Sequence, residues 1–173
     1  MMKLVVAVDE DWGIGYRGEL LAHVRADLRN FARLTTGHTV VLGSKTLATF
    51  PGGRPLKNRT NIILSRRTDY APEGALVAHS GDELLDMIKT MDDDIFVIGG
   101  ASIYELLLPY CDTAYVTKFK KAYTADAFFA NLDADPDWEC VEIGEVQMSD
   151  AATDSEGGLE FCFCEYKRKA ITK

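Results

Sequence analysis

Cysteine, histidine and long apolar runs are all scarce in this chain of 173 residues, and each scarcity removes a class of function. The four cysteines, Cys111, Cys140, Cys162 and Cys164, form no C-x-x-C pair and stand in apolar, strand-like surroundings. Reduced, buried thiols of a cytoplasmic protein are expected, not a disulfide framework. The three histidines, His23, His38 and His79, are scattered, so no metal site is expected. No apolar run approaches the length that crosses a bilayer. The amino-terminal MMKLVVAVDED turns acidic too early for a secretory signal, and no membrane partner is expected. A net charge of −8 argues against nucleic acid as a partner.

Charge of one sign is also missing locally. From Leu28 to Thr68 there is no acid, yet there are eight bases: Arg29, Arg33, Lys45, Arg54, Lys57, Arg59, Arg66 and Arg67. From Ala122 to Tyr166 there are many acids and no Lys or Arg. The cleared segment is either a solvated face or a local site for a small polyanion.

Short β-branched runs at 3–8, 39–43, 61–65, 75–79, 94–100, 113–119, 138–146 and 159–167 read as strands. Several are apolar on both faces, as in parallel strands covered by helices. Helical patterns fall at 25–35, 44–50, 81–91 and 101–108, with Ser80 as N-cap of the third and Pro109 stopping the fourth. The alternation predicts an α/β fold: a single domain over 1–173 with a central eight-stranded, mostly parallel twisted sheet, an antiparallel C-terminal edge strand and about four flanking helices. Nothing signals a dimer interface, and a monomer is expected.

Gly13, Gly15 and Gly18 spell G-x-G-x-x-G after the first strand. A dinucleotide fingerprint needs the first glycine at the strand end and a helix at the last. Here Asp9-Glu10-Asp11-Trp12 intervene, and no helix starts until about Arg25. The segment reads as a flexible loop of about fifteen residues, either a plain surface loop or a lid over a ligand. Three other stretches suit phosphate. GSKT (43–46) opens a helix with a lysine, LSRR (64–67) ends a strand with a hydroxyl and two guanidinium groups, and IGGASIY (98–104) runs from strand through Gly-Gly into a helix. Each lies at the carboxyl end of a strand, where α/β sheets bind ligands. On the helix at 25–35, Asp27 and Phe31 are one turn apart and share a face. Asp27 is either an acid favoured by the helix dipole or a carboxylate in an apolar cleft that grips a cationic or amidine-like ligand.

AVDEDWGIGYRGEL, ADLRNF, VVLGSKT, GGRPLKNRTNIILS, VIGGASIY, LLPYCDTAYVT, ADAFF and a following W stand in the order of one family. Over nearly its whole length the chain resembles the dihydrofolate reductases, in the bacterial, stand-alone form. The resemblance implies NADPH-dependent reduction of 7,8-dihydrofolate to 5,6,7,8-tetrahydrofolate. It gives Asp27 the acid's role toward N3 and the 2-amino group of the pterin, with Thr117 bonded to it. It places Val5, Val6, Leu28, Phe31, Phe50 and Leu56 around the pterin and benzoyl rings. Arg59 would clamp the α-carboxylate of the glutamate tail, with Arg54 also on the substrate side. Ile98 and Tyr104 would border the substrate and flank the nicotinamide.

For the cofactor, the resemblance implies that the backbone of Ala7 and Ile14 holds the carboxamide and that Gly15 and Gly18 belong to a closing loop. Gly43, Ser44, Lys45, Thr46, Leu64, Ser65, Arg66, Gly99, Gly100, Ala101, Ser102 and Ile103 would hold the phosphates and the rest of the dinucleotide. An adenosine-binding subdomain would span roughly 38–90. His79 is either a contact at the adenosine end or a strand-end surface histidine. No second acid occupies a matched cleft position, so a water would protonate N5.

Four positions depart from the family. Leu21-Ala22 replace a Pro-Trp pair, Arg25 stands where Pro is common, and Ser44 replaces the arginine that grips the 2′-phosphate. Lys45, Arg66 and Arg67 would compensate for the last. Two other readings compete. One is a riboflavin-pathway pyrimidine reductase, which should lack the Asp27/Phe31 pair with a downstream Arg59. The other is a non-catalytic pterin- or NADPH-binding protein, which should lack the acid.

Overall fold

The computed structural model describes residues 2–170. The chain runs through β1 (Met2–Val8), β2 (Gly13–Tyr16), β3 (Glu19–Leu20), α1 (Arg25–Thr35), β4 (Thr39–Gly43), α2 (Ser44–Ala48), β5 (Thr60–Leu64) and β6 (Leu76–Ala78). It continues through α3 (Gly81–Lys89), β7 (Ile95–Gly99), α4 (Ala101–Leu107), β8 (Thr113–Phe119), β9 (Ala127–Phe128), β10 (Trp138–Ile143), β11 (Gln147–Met148) and β12 (Glu160–Arg168).

The main sheet has the order β10-β12-β8-β1-β7-β4-β5-β6, with β11 paired to β12. The six strands from β8 to β6 are parallel; β12 runs against them, and β10, antiparallel to β12, runs with them. The reversed strand β12 therefore lies inside the sheet, and β10, not the C-terminal strand, is outermost. Burial explains the order. Phe161, Cys162, Cys164 and Tyr166 of β12 are buried on both faces, as an interior strand requires. In β10 every residue after Trp138 is exposed.

The sheet's period of two sorts its side chains into two layers. Leu4, Val6, Val41, Ile62, Ile95 and Val97 pack with Leu84 of α3 and with Tyr104 and Leu107 of α4. Val5, Val40, Leu42, Ile63 and Phe96 pack on the other face with Leu47 of α2 and Phe31 of α1.

The segment read as an open loop is instead a hairpin. Arg17 (φ 51°) and Gly18 (φ 81°) turn between β2 and β3, both in the left-handed region that a tight hairpin turn uses. The missing signal was the third strand: β9 pairs with β2 from more than a hundred residues away. Asp126 fixes the join, accepting from Arg17 N–H at 3.0 Å while its own N–H donates to Gly15 C=O at 3.0 Å.

Asp9 anchors the base of this hairpin although it is only 3% exposed. One carboxylate oxygen accepts from Asp11 N–H (2.9 Å) and Gly13 N–H (2.7 Å), and the other from Tyr123 N–H (2.9 Å). Gly13 is required for that approach: a Cβ there would lie 2.8 Å from the Ala125 Cβ and 3.0 Å from an Asp9 oxygen. Three charge-assisted bonds in a buried setting predict that Asp9→Ala lowers the unfolding free energy by about 3 kcal/mol in urea titration. A loss below about 1 kcal/mol would show that the anchor does not hold the hairpin.

Candidate active site

Because six strands run parallel, their carboxyl ends share one edge, and most of the expected site residues arrive there. Val5 and Ala7 of β1 lie opposite Tyr115 and Thr117 of β8 in register, so these four side chains share the face that α1 covers. Asp27, in the first turn of α1, meets that face. The Thr117 hydroxyl donates to Asp27 Oδ1 at 2.6 Å. No other hydrogen-bond partner of the carboxylate occurs among the described residues. Asp27 keeps some open surface but is walled by protein at depth. That burial raises its pKa, and the Thr117 bond offsets only part of the rise.

Three α1 residues at helical spacing, Asp27, Phe31 and Thr35, form one stripe along the cleft. Val5, Phe31, Phe50, Leu56 and Ile98 supply an apolar wall in one cluster. Leu28 stands at the rim, 55% exposed. Val6 does not join them, because β1 alternates and its side chain packs on the far layer with α3 and α4. At the other end of the stripe, Arg59 lies 5.9 Å from the Phe31 ring. Its Nη1–H donates to the buried Thr35 hydroxyl at 3.1 Å, and its Nε–H to Lys57 C=O at 2.9 Å. Burial lowers its pKa.

Asn61, which the sequence offered only as a strand start, shapes this end. Its side chain is 2% exposed, accepts from Leu56 N–H at 2.9 Å and donates to Leu56 C=O (2.9 Å) and Arg59 C=O (3.1 Å). The loop that presents Leu56 and Arg59 is thereby fastened to β5. Arg54 is exposed and folds back over Gly52, away from this network.

The second half of the edge is built from glycines and cations. Gly99 (φ 134°) and Gly100 link β7 to α4 through a cis peptide. A Cβ on Gly100 would lie 3.2 Å from Thr46 Oγ1, and one on Gly43 would lie 3.1 Å from Ile103. The β4–α2 and β7–α4 turns therefore touch, bringing Gly43, Ser44, Lys45 and Thr46 beside Gly99–Ile103. Ala101 and Ser102 open α4, with Ser102 exposed. Tyr104 is buried beneath, its hydroxyl donating to Val5 C=O at 2.6 Å. Burial, then the Asp27 charge, push its pKa upward.

Leu64 and Ser65 end β5 alongside, and Arg67 N–H donates to Ser65 Oγ at 3.3 Å. His79 Nδ1 lies 2.9 Å from Ser65 C=O and must carry the proton there, so this histidine ties the ends of β5 and β6 together. Lys45 and Arg66 are exposed and have no acidic partner among the described residues, while Arg67 pairs loosely with Asp69 at 3.4 Å. An open depression of 460 Å³ between α2 and the following loops is lined by Ser44, Lys45, Leu47, Arg67, Tyr70 and Pro72, among others.

Ile14, Gly15 and Gly18 lie in the β2–β3 hairpin, with Ile14 partly buried against the α3/α4 layer. Ala22, at the departure from Pro-Trp, is 5% exposed and packs with Val24, Phe119, Leu159 and Phe161. No helix of the described residues is long and apolar enough to cross a membrane, and no cluster of metal-ligating side chains occurs among them.

Comparison with known proteins agrees with this geometry. The dihydrofolate reductase family profile matches residues 1–168. The dihydrofolate reductase of Bacillus subtilis (strain 168) is 32% identical over 173 residues, covering 100% of this chain and 98% of that protein. That of Staphylococcus haemolyticus is 30% identical over 167 residues, covering 96% and 95%. The solved structure "Dihydrofolate reductase from Enterococcus faecalis complexed with NADP(H)and RAB-propyl" is similar with a TM-score of 0.86, at 32% identity, over 98% of this chain and 97% of that one. An acid and a guanidinium at opposite ends of one helix stripe, set over a doubly covered parallel sheet, thus accompany a match along the whole chain, and the chain belongs to the dihydrofolate reductase family.

Proposed function

We propose that this NADPH-dependent dihydrofolate reductase works in the cleft beneath α1, with Asp27 at the pterin end and Arg59 at the carboxylate end. The observation that carries the reading is the stripe Asp27–Phe31–Thr35. Eight helical residues rise roughly 12 Å. Along that length the cleft offers a carboxylate, an aromatic wall and a fixed guanidinium. Dihydrofolate presents the matching sequence of an amidine-like heterocycle edge, a benzoyl ring and a carboxylate. A pyrimidine reductase acting on a ribosylated substrate has no use for that order of groups.

In this reading Asp27 accepts from N3 and the 2-amino group of the pterin. Val5, Leu28, Phe31, Phe50, Leu56 and Ile98 enclose the rings, and Val6 contributes through its backbone. Arg59, held open by Thr35 and Lys57, forks onto the α-carboxylate. Arg54 adds positive charge at that mouth. N5 takes its proton from a water, and Asp27 sets the local field. The β2–β3 hairpin covers the reacting atoms and excludes bulk solvent.

The residues fit NADPH. Gly100 lacks the Cβ atom that would crowd Thr46, and Gly99 holds a positive φ that side chains rarely adopt, so the backbone can approach a pyrophosphate. Lys45 and Arg66 are free to meet phosphate oxygens, with the hydroxyls of Ser44, Thr46, Ser65 and Ser102 and the backbone N–H of Ala101 as polar neighbours. When bound, NADPH supplies a hydride from its nicotinamide C4. Ala7 and Ile14 would hold the carboxamide through their backbone, and Tyr104 and Ile98 would flank the ring. Residues 38–90, which hold β4, α2, β5, β6 and α3, form the adenosine-binding part, with Gly43, Leu64, His79 and Ile103 shaping its floor. The reading extends to a monomeric cytoplasmic enzyme. One chain supplies both ends of the cleft, and the thiols of Cys111, Cys140, Cys162 and Cys164 are all unpaired.

Mixing protein, NADPH and dihydrofolate should consume NADPH. Asp27→Asn should lower turnover by about 100-fold or more while NADPH affinity stays within about twofold. Equal losses in both would make Asp27 a structural residue. The same substitution should stabilise the apo protein. A carboxyl whose pKa is raised by folding costs stability as pH climbs past its unfolded value, until pH exceeds the folded value. At pH 7 that cost is present, and Asn removes it. Each kcal/mol regained should appear as about 2–4 °C in Tm, and an unchanged or lower Tm would contradict the burial argument. In addition, Arg66→Ala with Arg67→Ala should narrow the preference for NADPH over NADH. Unchanged discrimination would count against the 2′-phosphate assignment.

A further inference from the structure

The loop between β11 and β12 reaches across the molecule to the start of α1. Helix α1 begins behind Val24, which has no side-chain oxygen to cap it. Its first N–H, on Arg25, donates instead to Asp154 Oδ1 at 2.8 Å, from 129 residues away. Alongside, His23 N–H donates to Ser155 Oγ and Ser155 N–H to His23 C=O, both at 2.9 Å.

The strap that delivers Asp154 is itself fastened. Asp154 Oδ2 accepts from Asp150 N–H at 2.7 Å. The Ser149 hydroxyl donates to Glu156 C=O (2.7 Å) and accepts from Leu159 N–H (2.8 Å). The Glu156 carboxylate takes Lys121 at 2.9 Å and the Tyr123 hydroxyl. The backbone donors around Asp154, that of Arg25 first, hold its carboxyl below the usual range. Beneath, Leu159 and Phe161 pack with Ala22 and Val24, so strap and helix lead-in share one small core.

Helix α1 needs such a fastening. Thr35, at its last turn, is its one fully buried residue, and in the first turn Ala26, partly buried, joins the small core of the lead-in. The C-terminal end is held by Thr35 and Arg59; the N-terminal end is held by Asp154.

We propose that Asp154 is a positioning residue for Asp27: a cap supplied by the strap sets where α1 begins, and so sets the depth at which the carboxylate two residues later meets Thr117 and the pterin. This rests on the assignment of Asp27 given above.

The test compares Asp154→Ala, Asp154→Asn and Asp154→Glu in the full chain, at a temperature well below every Tm. Removing a cap loosens the order of the helix end. If that order positions the acid, Asp154→Ala should lower kcat/KM for dihydrofolate about tenfold, through both kcat and KM, with NADPH affinity within about twofold. Asp154→Asn keeps an acceptor oxygen and should recover activity to within about threefold of the parent. Asp154→Glu keeps the charge but displaces the oxygens, and should resemble Ala; it stands in should the Ala variant fail to fold. In an Asp27→Asn background, Asp154→Ala should add little further loss, because the two act through one group.

A variant set with lower Tm but unchanged kcat/KM would overturn the proposal, as would an equal loss of NADPH affinity or a full additional loss on the Asp27→Asn background. Failure of the Asp27 assignment reads differently, as full turnover by Asp27→Asn alone.

Discussion

A carboxylate kept out of water is the constraint around which this molecule is arranged. Asp27 sits in the first turn of α1 with the Thr117 hydroxyl on one oxygen and protein walls around it. In the apo chain that placement is unfavourable, because desolvation penalises the charged form more than one hydroxyl repays. The free energy stored there is available to a ligand that brings donors to the remaining oxygen. In the proposed reading a flat heterocycle with adjacent ring and amino N–H groups would do so, and its binding would convert an electrostatic liability into orientation.

Much of the fold serves to keep that group where it is. The β1–β8 register sets Thr117 opposite Ala7, on the face α1 covers. Phe31 and Thr35 extend the stripe, and Thr35 spends its hydroxyl on Arg59, so both ends of the cleft refer to one helix. Asn61 fastens the loop behind Arg59, and Asp9 fastens the base of the β2–β3 hairpin. These supports are buried polar groups with complete partners, the arrangement that rigidifies a site without leaving unsatisfied donors.

Periodicity made much of this readable. Helix 25–35 and strands 39–43 and 113–119 occupy the residues the pattern indicates, because each is long and regular enough for its period to dominate. The pairing of Asp27 with Phe31 follows from the same spacing. The period of two also separates Val5 from Val6, although the family resemblance places both around the rings. Contacts between distant short segments left no local mark. The β2–β9 pairing, the Thr35–Arg59 bond and the reach of Asp154 to Arg25 join residues 24 to 129 positions apart. Asp9 heads the acidic stretch Asp9-Glu10-Asp11, and only the fold reveals three N–H groups converging on it.

A crystal structure of the enzyme with folate and NADP⁺ addresses the central claim most directly. Both Asp27 oxygens should lie within hydrogen-bonding reach of the protein–pterin edge, with one about 2.6–3.2 Å from N3 or the 2-amino nitrogen and Arg59 forked onto the α-carboxylate. A pterin seated elsewhere, or an Asp27 side chain turned out into bulk solvent while the ligand stays bound, would contradict it.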